Sequence, residues 1–336
     1  MVGESLPYRW IAGGEEINYH TLSDFRTLHA DVLDRLLIAS VAVLAREGRI
    51  DLEAMTVAHD GVRVRASAGR DSMHRRPTLE KALAAARAHV ERMKKQEDEP
   101  PSDKEPPSAG KRAAQERAAR ERVERLEHAL KTMEKVEAKR RVRTDRKPRE
   151  PRVSSTDPEA AMLRMANGGK DPAHNIQFTT EVTTRAIVTV MVADMSSDTG
   201  MLKPAMENHR RAHGRLPACT MADQGYFKYE DIGALEAERC EVLMPDLYPK
   251  AQHTGRSGQP LIVAWRERMK TEEAKKKYKL RSSTVEWSNA RVRQQGLQQL
   301  TVRGRAKVLA IALWHALTHN VLRTFALRKT PILKAA

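Results

Sequence analysis

MTVAHDGVRVRASAG alternates apolar and polar residues through Val57, Val62 and Val64, the period of a half-buried strand, with a turn or bulge expected where Asp60-Gly61 interrupts it. No partner strand follows. From about Asp71 to Glu150 the chain instead shows a helical stretch around Leu79 to Lys95, the breaker EDEPPSDKEPPS, and a long charged helix from about Lys111 to Arg143. Repeated prolines cannot continue a helix, so the breaker reads as an exposed turn between two helical arms. Val123, Leu126, Leu130 and Met133 follow a 3-4-3 spacing, a narrow apolar seam suited to packing the second arm on the first. Any sheet in this protein is therefore assembled across a helical hairpin.

Beyond the hairpin the period changes again. AHNIQFTTEV and RAIVTVMVADM read as two strands of a hairpin, DTGMLKPAMENHRRAHG as a helix capped by Asp198, and ACTMADQGY as a strand ending in an acid. KYEDIGALEAER is a further short helix and CEVLMPDL a further strand. Upstream, HTLSDFRTLHADVLDRLLIASVAVLAREG carries Val32, Leu33, Leu36, Leu37, Val41 and Leu44 at helical spacing, giving one or two helices that end near Gly48. Downstream, STVEWSNARVRQQGLQQLTVRGRAKVLAIALWHALTHNVLRTF is strongly helical, with a break near Thr301 to Gly304. One strand, an insertion, then ββαβαβ and closing helices make an α/β fold around one mixed sheet. The expected divisions are a helical segment over 1–50, a first piece of the core over 51–70, the helical insertion over 71–152, and the remainder of the core over 153–330.

Charge narrows the partner. The 336 residues carry 60 Lys and Arg against 44 Asp and Glu, a net +16, which points to a polyanion, either nucleic acid or a membrane surface. No apolar run approaches the ~20 residues that span a bilayer, and no signal peptide opens the chain, so nucleic acid inside the cell is the expected partner. The excess is patterned. From Ala251 onward 18 Lys or Arg face four carboxylates, Glu267, Glu272, Glu273 and Glu286, and from Lys111 to Arg152 there are 16 basic and eight acidic residues. Two cysteines, Cys219 and Cys240, cannot form a thiol zinc site and read as small core residues.

Phosphodiester chemistry on such a partner needs hard oxygen ligands that converge on divalent cations. Asp60 and Asp223 stand at expected strand termini. Glu286, in TVEWSNARVRQQG, is the last acid of a strongly basic stretch, where a carboxylate facing a negative substrate calls for a cation beside it. Spacing alone leaves the bland alternative open, because aspartates at strand ends are often turn formers or caps. Asp194 and Asp198 are alternative ligands, with Asp198 the better helix cap. His315 and His319, four apart beside Trp314 and Leu317, read as core residues. Arg291, Arg293, Arg303, Arg305 and Lys307 are candidate phosphate contacts, or else a solvated helix face. Tyr226 and Phe227 are expected to face the core, and Asn289 to orient Glu286 or touch the substrate.

YRWIAGGEEINYHTLSDFR, HDGVRVRASAG, STDPEAAMLRMANGG followed by AHNIQFTTEV, the ADQGYF block and TVEWSNARVRQQGLQQLTVRGRAKV occur in an order that closely resembles bacterial insertion-sequence transposases of the DDE class, from about Tyr8 to Arg323. The resemblance implies a ribonuclease-H-like core with a helical hairpin inserted after its first strand. It implies metal ligation by Asp60, Asp223 and Glu286, Mg²⁺ or Mn²⁺ as cofactor, and double-stranded DNA, both transposon ends and target, as substrate. It further implies a homodimer on DNA and work in the bacterial cytoplasm at the nucleoid. Relatives begin with a longer helical region for recognition of terminal repeats, so a truncated N-terminus is expected. Gly61-Val62 stands where relatives often have Gly-Thr, and Gln224 where many have Ala. Two alternatives remain: a DNA-binding remnant without turnover, and a nuclease with the same core that does not transpose.

Overall fold

The protein is described by a computed structural model over residues 6–15, 17–97, 108–141, 150–194, 197–249 and 258–329. Its helices are α1 (Leu6–Ile11), α2 (Tyr19–Leu28), α3 (Ala30–Arg46), α4 (Arg76–Glu97), α5 (Ala109–Arg141), α6 (Leu202–His213), α7 (Tyr229–Ala237), α8 (Pro260–Lys270), α9 (Glu272–Tyr278), α10 (Leu280–Gln294) and α11 (Arg305–Arg328). Its strands are β1 (Thr56–Arg65), β2 (Met73–His74), β3 (Val153–Ser154), β4 (Ala161–Arg164), β5 (Lys170–Glu181), β6 (Ile187–Val192), β7 (Cys219–Met221) and β8 (Glu241–Leu243). Two compact units divide the chain, one of residues 1–64, 175–298 and 305–336, the other of residues 65–174 and 299–304.

The first unit is α/β. Its strands run in the order β6-β5-β1-β7-β8, with β5 and β6 antiparallel and the β1, β7 and β8 neighbours parallel. α3 turns Leu33, Leu37, Val41 and Leu44 inward and leaves Leu36 half exposed. This three-and-four spacing is what fixes its buried face. Gly48, at φ +68°, ends that segment where the sequence expects it to end. Val41, Leu44, Val57, Leu202, Met206, Ile232 and Trp265 belong to one buried core. A second cluster joins Ala58, Cys219, Met221 and Leu243 to Ala274 and Val285 of the C-terminal helices. Cys219 and Cys240 are buried free thiols, as expected, and burial pushes the Cys240 thiol up to about 12.

Three local expectations give way. β1 runs unbroken through Asp60 and Gly61. Gly61 serves close approach instead of a turn, since a Cβ there would stand 2.6 Å from both Asn175 Oδ1 and Gln177 Nε2. Asp198 does not cap α6, whose N-cap is Met201 with no side-chain bond; its carboxylate is taken up by Asn175 and Gln177. The break in the C-terminal helical stretch begins earlier than expected, at Gln295, with Gly296 at φ +102° and Gly304 at φ +83°. Strand β4 and helices α8 and α9 carry no strong sequence period and were not expected.

The second unit holds the two helical arms. Leu79, Leu83 and Ala86 of α4 meet Leu126, Ala129 and Met133 of α5, with Val123 and Leu130 at the margin, which is the predicted seam. Ion pairs from Arg76 to Glu137 and from Arg87 to Glu127 set the arms antiparallel. β2 and β3 pair antiparallel at the base of the arms. β4 pairs with the first residues of β5, and a buried His174–Asp157 contact of 2.8 Å, with Gly304 N donating to the same carboxylate at 3.2 Å, ties that region together. Most of the breaker EDEPPSDKEPPS and the end of the expected second arm lie outside the described residues.

Candidate active site

Parallel pairing sets the first two acids side by side. Ala58 on β1 is in register with Met221 on β7; Asp60, which lies inside β1 and not at the strand end the sequence suggested, and Asp223, just past the end of β7, each follow two residues later, so both carboxylates come to a common level on neighbouring strands. Asp223 also closes the 3₁₀ turn at Gln224–Tyr226 by accepting from Gly225 N at 2.8 Å. Burial, and next the like charge of Asp223, push the Asp60 carboxyl up to about 6; Gly61 N–H and Arg281 act in the opposite sense. Two carboxylates held this way are strained by mutual repulsion, and a cation between them would relieve it.

A third acid lies in this neighbourhood. Asp198 Oδ1 accepts from Asn175 Nδ2 at 2.6 Å and from Gln177 Nε2 at 2.9 Å, and Arg63 stands 3.7 Å from Oδ2. Its charge adds to the elevation of Asp60. Tyr226 is buried as expected, donates its hydroxyl to Gln177 Oε1, and is held far above the usual phenol range by burial and by Asp198, Asp60 and Asp223. His59, against the Tyr226 ring, is kept neutral by burial, its pKa pushed down to about 4. Phe227 is buried among Tyr229, Tyr248 and Trp265.

Glu286 is not joined to these acids. α10 buries Thr284, Val285, Ser288, Asn289 and Val292, and Glu286 projects from its exposed side. The residue that reaches the centre is Asn289, one turn later, whose Nδ2 donates to Asp60 Oδ2 at 2.8 Å. Among the described residues no group of three or more His, Cys, Asp or Glu side chains is placed to hold a metal ion. The hard-oxygen pair of Asp60 and Asp223 nevertheless suits Mg²⁺ or Mn²⁺, which take one or two protein carboxylates and complete their shells with water and phosphate.

The predicted phosphate contacts are dispersed. Arg291 lies two residues beyond Asn289, about 200° around α10 and so on the opposite face, packed over Trp287. Arg293 is exposed on the flank nearer Glu286. Arg303 donates to Ser67 O within the second unit, and Arg305 and Lys307 open α11. His319 donates Nε2–H to Arg185 O at 2.8 Å and serves packing, as expected; His315 is half-buried beside it. Asp194 is exposed. The participation of Asn175 and Gln177 was not legible, since polar residues on a strand read equally well as a solvated face; Asp198, an alternative ligand in the sequence, is the acid they hold.

The sequence profile of the transposase DDE domain matches residues 252–325, a segment that contains Glu286 and the five predicted basic contacts. No curated protein and no solved structure matches the chain. No helix among the described residues is long and apolar enough to cross a membrane.

Proposed function

We propose that the chain, a DDE-type transposase by the match over residues 252–325, cuts double-stranded DNA and transfers the freed 3′ end to a target by divalent-cation-dependent phosphoryl transfer at Asp60, Asp223 and Glu286. The mixed sheet is then a ribonuclease-H-like core, and the α4–α5 pair its helical insertion. The observation that carries this reading is the level placement of Asp60, within β1, and Asp223, just past the end of the adjacent parallel β7, with the Asp60 carboxyl raised to about 6. Mg²⁺ or Mn²⁺, when bound, supplies charge neutralisation and Lewis acidity at the scissile phosphate. Asp60 and Asp223 hold it, Asn289 fixes the orientation of Asp60, and the Asn175–Gln177–Asp198 network braces the strand behind it. Glu286 precedes Asn289 by three residues, so their Cβ atoms lie on neighbouring flanks about 5–6 Å apart. Ligation by Glu286 requires its long side chain to rotate toward the pair. Pairing of two DNA ends calls for a homodimer, and the place of work is the bacterial cytoplasm at the nucleoid.

The exposure of Glu286 favours a second reading, a DNA-binding remnant without turnover. Supercoiled plasmid incubated with Mg²⁺ or Mn²⁺ separates the two. Nicking by the wild type that is abolished in Asp223→Ala and in Glu286→Gln, with DNA binding retained, supports the enzyme. Binding without nicking under either metal supports the remnant, and cleavage with no joined product a nuclease.

A further inference from the structure

Outside the acidic centre, three arginines surround Trp287. The guanidinium carbons of Arg323, Arg185 and Arg291 lie 5.3, 5.4 and 5.8 Å from the centroid of its ring. No ion pair joins any of the three to a carboxylate among the described residues; Arg323 instead donates to Thr184 O, and Arg291 reaches Gln294 Oε1 at 3.4 Å. Cation–π attraction to one ring does not neutralise three like charges. The neighbouring His319 is kept neutral by burial and by Arg291 and Arg323, and Arg323 itself is made a weaker base by burial and by Arg185. Trp287, Arg291, His319 and Arg323 line a pocket of about 60 Å³. That is far below the roughly 300–1,000 Å³ of a small-molecule site, and of a size for an oxyanion.

Arg185 adds an independent sign. It occupies the β5–β6 turn at φ +59°, where glycine or asparagine is the unstrained choice. The turn is held in place by His319 on Arg185 O and by Asn320 on Ile187 N and O. A long cation kept in a left-handed position, its guanidinium over the same ring as those of Arg291 and Arg323 though outside the lining of the pocket, is strain retained where a ligand can use it. On α10, Trp287 and Arg291 lie four residues apart on one face, about 200° from Asn289 and Asp60.

We propose that Arg185, Arg291 and Arg323 form a phosphate site around Trp287, on the face of α10 turned away from Asp60, and that it holds a backbone phosphate of bound DNA. This rests on the DNA-processing reading above, so the test is run in EDTA, where no turnover occurs. A labelled duplex is titrated against wild type, Arg185→Gly, Arg291→Gln and Arg323→Gln over a range of salt. Arg185→Gly suits the backbone and keeps the fold. Each variant should bind roughly ten-fold more weakly at low salt and lose about one from the slope of log K on log salt. Trp287 fluorescence should change on titration, and that change should vanish in Trp287→Phe.

Unchanged affinity and slope in folded Arg185→Gly and Arg323→Gln overturn the site even if plasmid nicking persists. A Trp287 signal from inorganic phosphate alone, with none from the duplex, overturns the strand as its source. Arginine-dependent binding by a protein that never nicks upholds the site and sinks the catalytic reading alone.

Discussion

Asp60 is held where an ionised carboxylate is disfavoured by burial and by Asp223. A functional residue that costs stability predicts a gain on its neutralisation. In EDTA at pH 8, Asp60→Asn should stabilise the protein by up to about 3 kcal/mol in urea unfolding, and less in an Asp223→Asn background, where the like charge is already gone; a loss in both backgrounds would refute the pairing. His209 gives the opposite pH dependence. It is buried, donates Nδ1–H to Arg215 O, and burial pushes its pKa down to about 4. Between pH 6.5 and 4 the unfolded chain takes a proton that the folded one refuses, so stability is full above 6.5 and falls on acidification, by on the order of 3 kcal/mol for this group. His209→Gln should flatten the slope over that window by about one proton, and an unaltered slope sinks the assignment. Asp60 and Asp223 were chosen as acids closing apolar runs, a pattern that marks a strand end; Asp223 does follow the end of β7, whereas Asp60 sits inside β1. Glu286 was legible only as the last acid in a basic stretch; which flank of α10 it occupies depends on tertiary packing. Asp198 was misread because an acid before a helical period fits a cap as well as it fits a contact with Asn175 and Gln177.

At the level of elements, periodicity told most where it was longest. α3, the α4–α5 seam and the β5–β6 pair follow from the spacing of their apolar residues. The four-residue β4 is too short to show a period, and α8 and α9 sit in a segment where Lys, Arg and Glu mask the few buried positions, Ile262, Trp265 and Ala274. Asp-Gly in β1 shows how a local rule can fail: the dipeptide favours turns, yet its glycine is needed because β5 side chains cross it. Gly61→Ala should therefore displace Asn175 and Gln177, release Asp198, and cost about 1–3 kcal/mol as an overpacked site. Thermal unfolding of Gly61→Ala checks this, and a midpoint equal to wild type would restore the turn reading. Relief in an Asn175→Ala, Gly61→Ala double variant would tie the cost to that contact.

For the molecule as a whole, the placement of charge separates folding from binding. Residues 75–152 hold 24 Lys and Arg against 15 Asp and Glu, more than half of the net +16, yet their apolar contacts are largely the internal α4–α5 seam. The arms leave from a two-rung ladder in which Met73 pairs with Ser154 and His74 with Val153. The ends left by excising 75–152 are therefore directly opposed, about 4.5–5.5 Å apart at Cα, and an Asn-Gly linker closes them as a tight hairpin. The excised protein should unfold cooperatively, because the buried clusters of the first unit use none of the removed residues. Its duplex binding should weaken and become less salt-sensitive, since fewer cations are left to displace counterions from DNA. Urea unfolding and salt-dependent binding together decide the matter. A cooperative fold with an unchanged salt slope makes the arms a solvated spacer and puts the phosphate contacts on the remaining chain, whereas loss of cooperative unfolding makes the arms part of the folding unit.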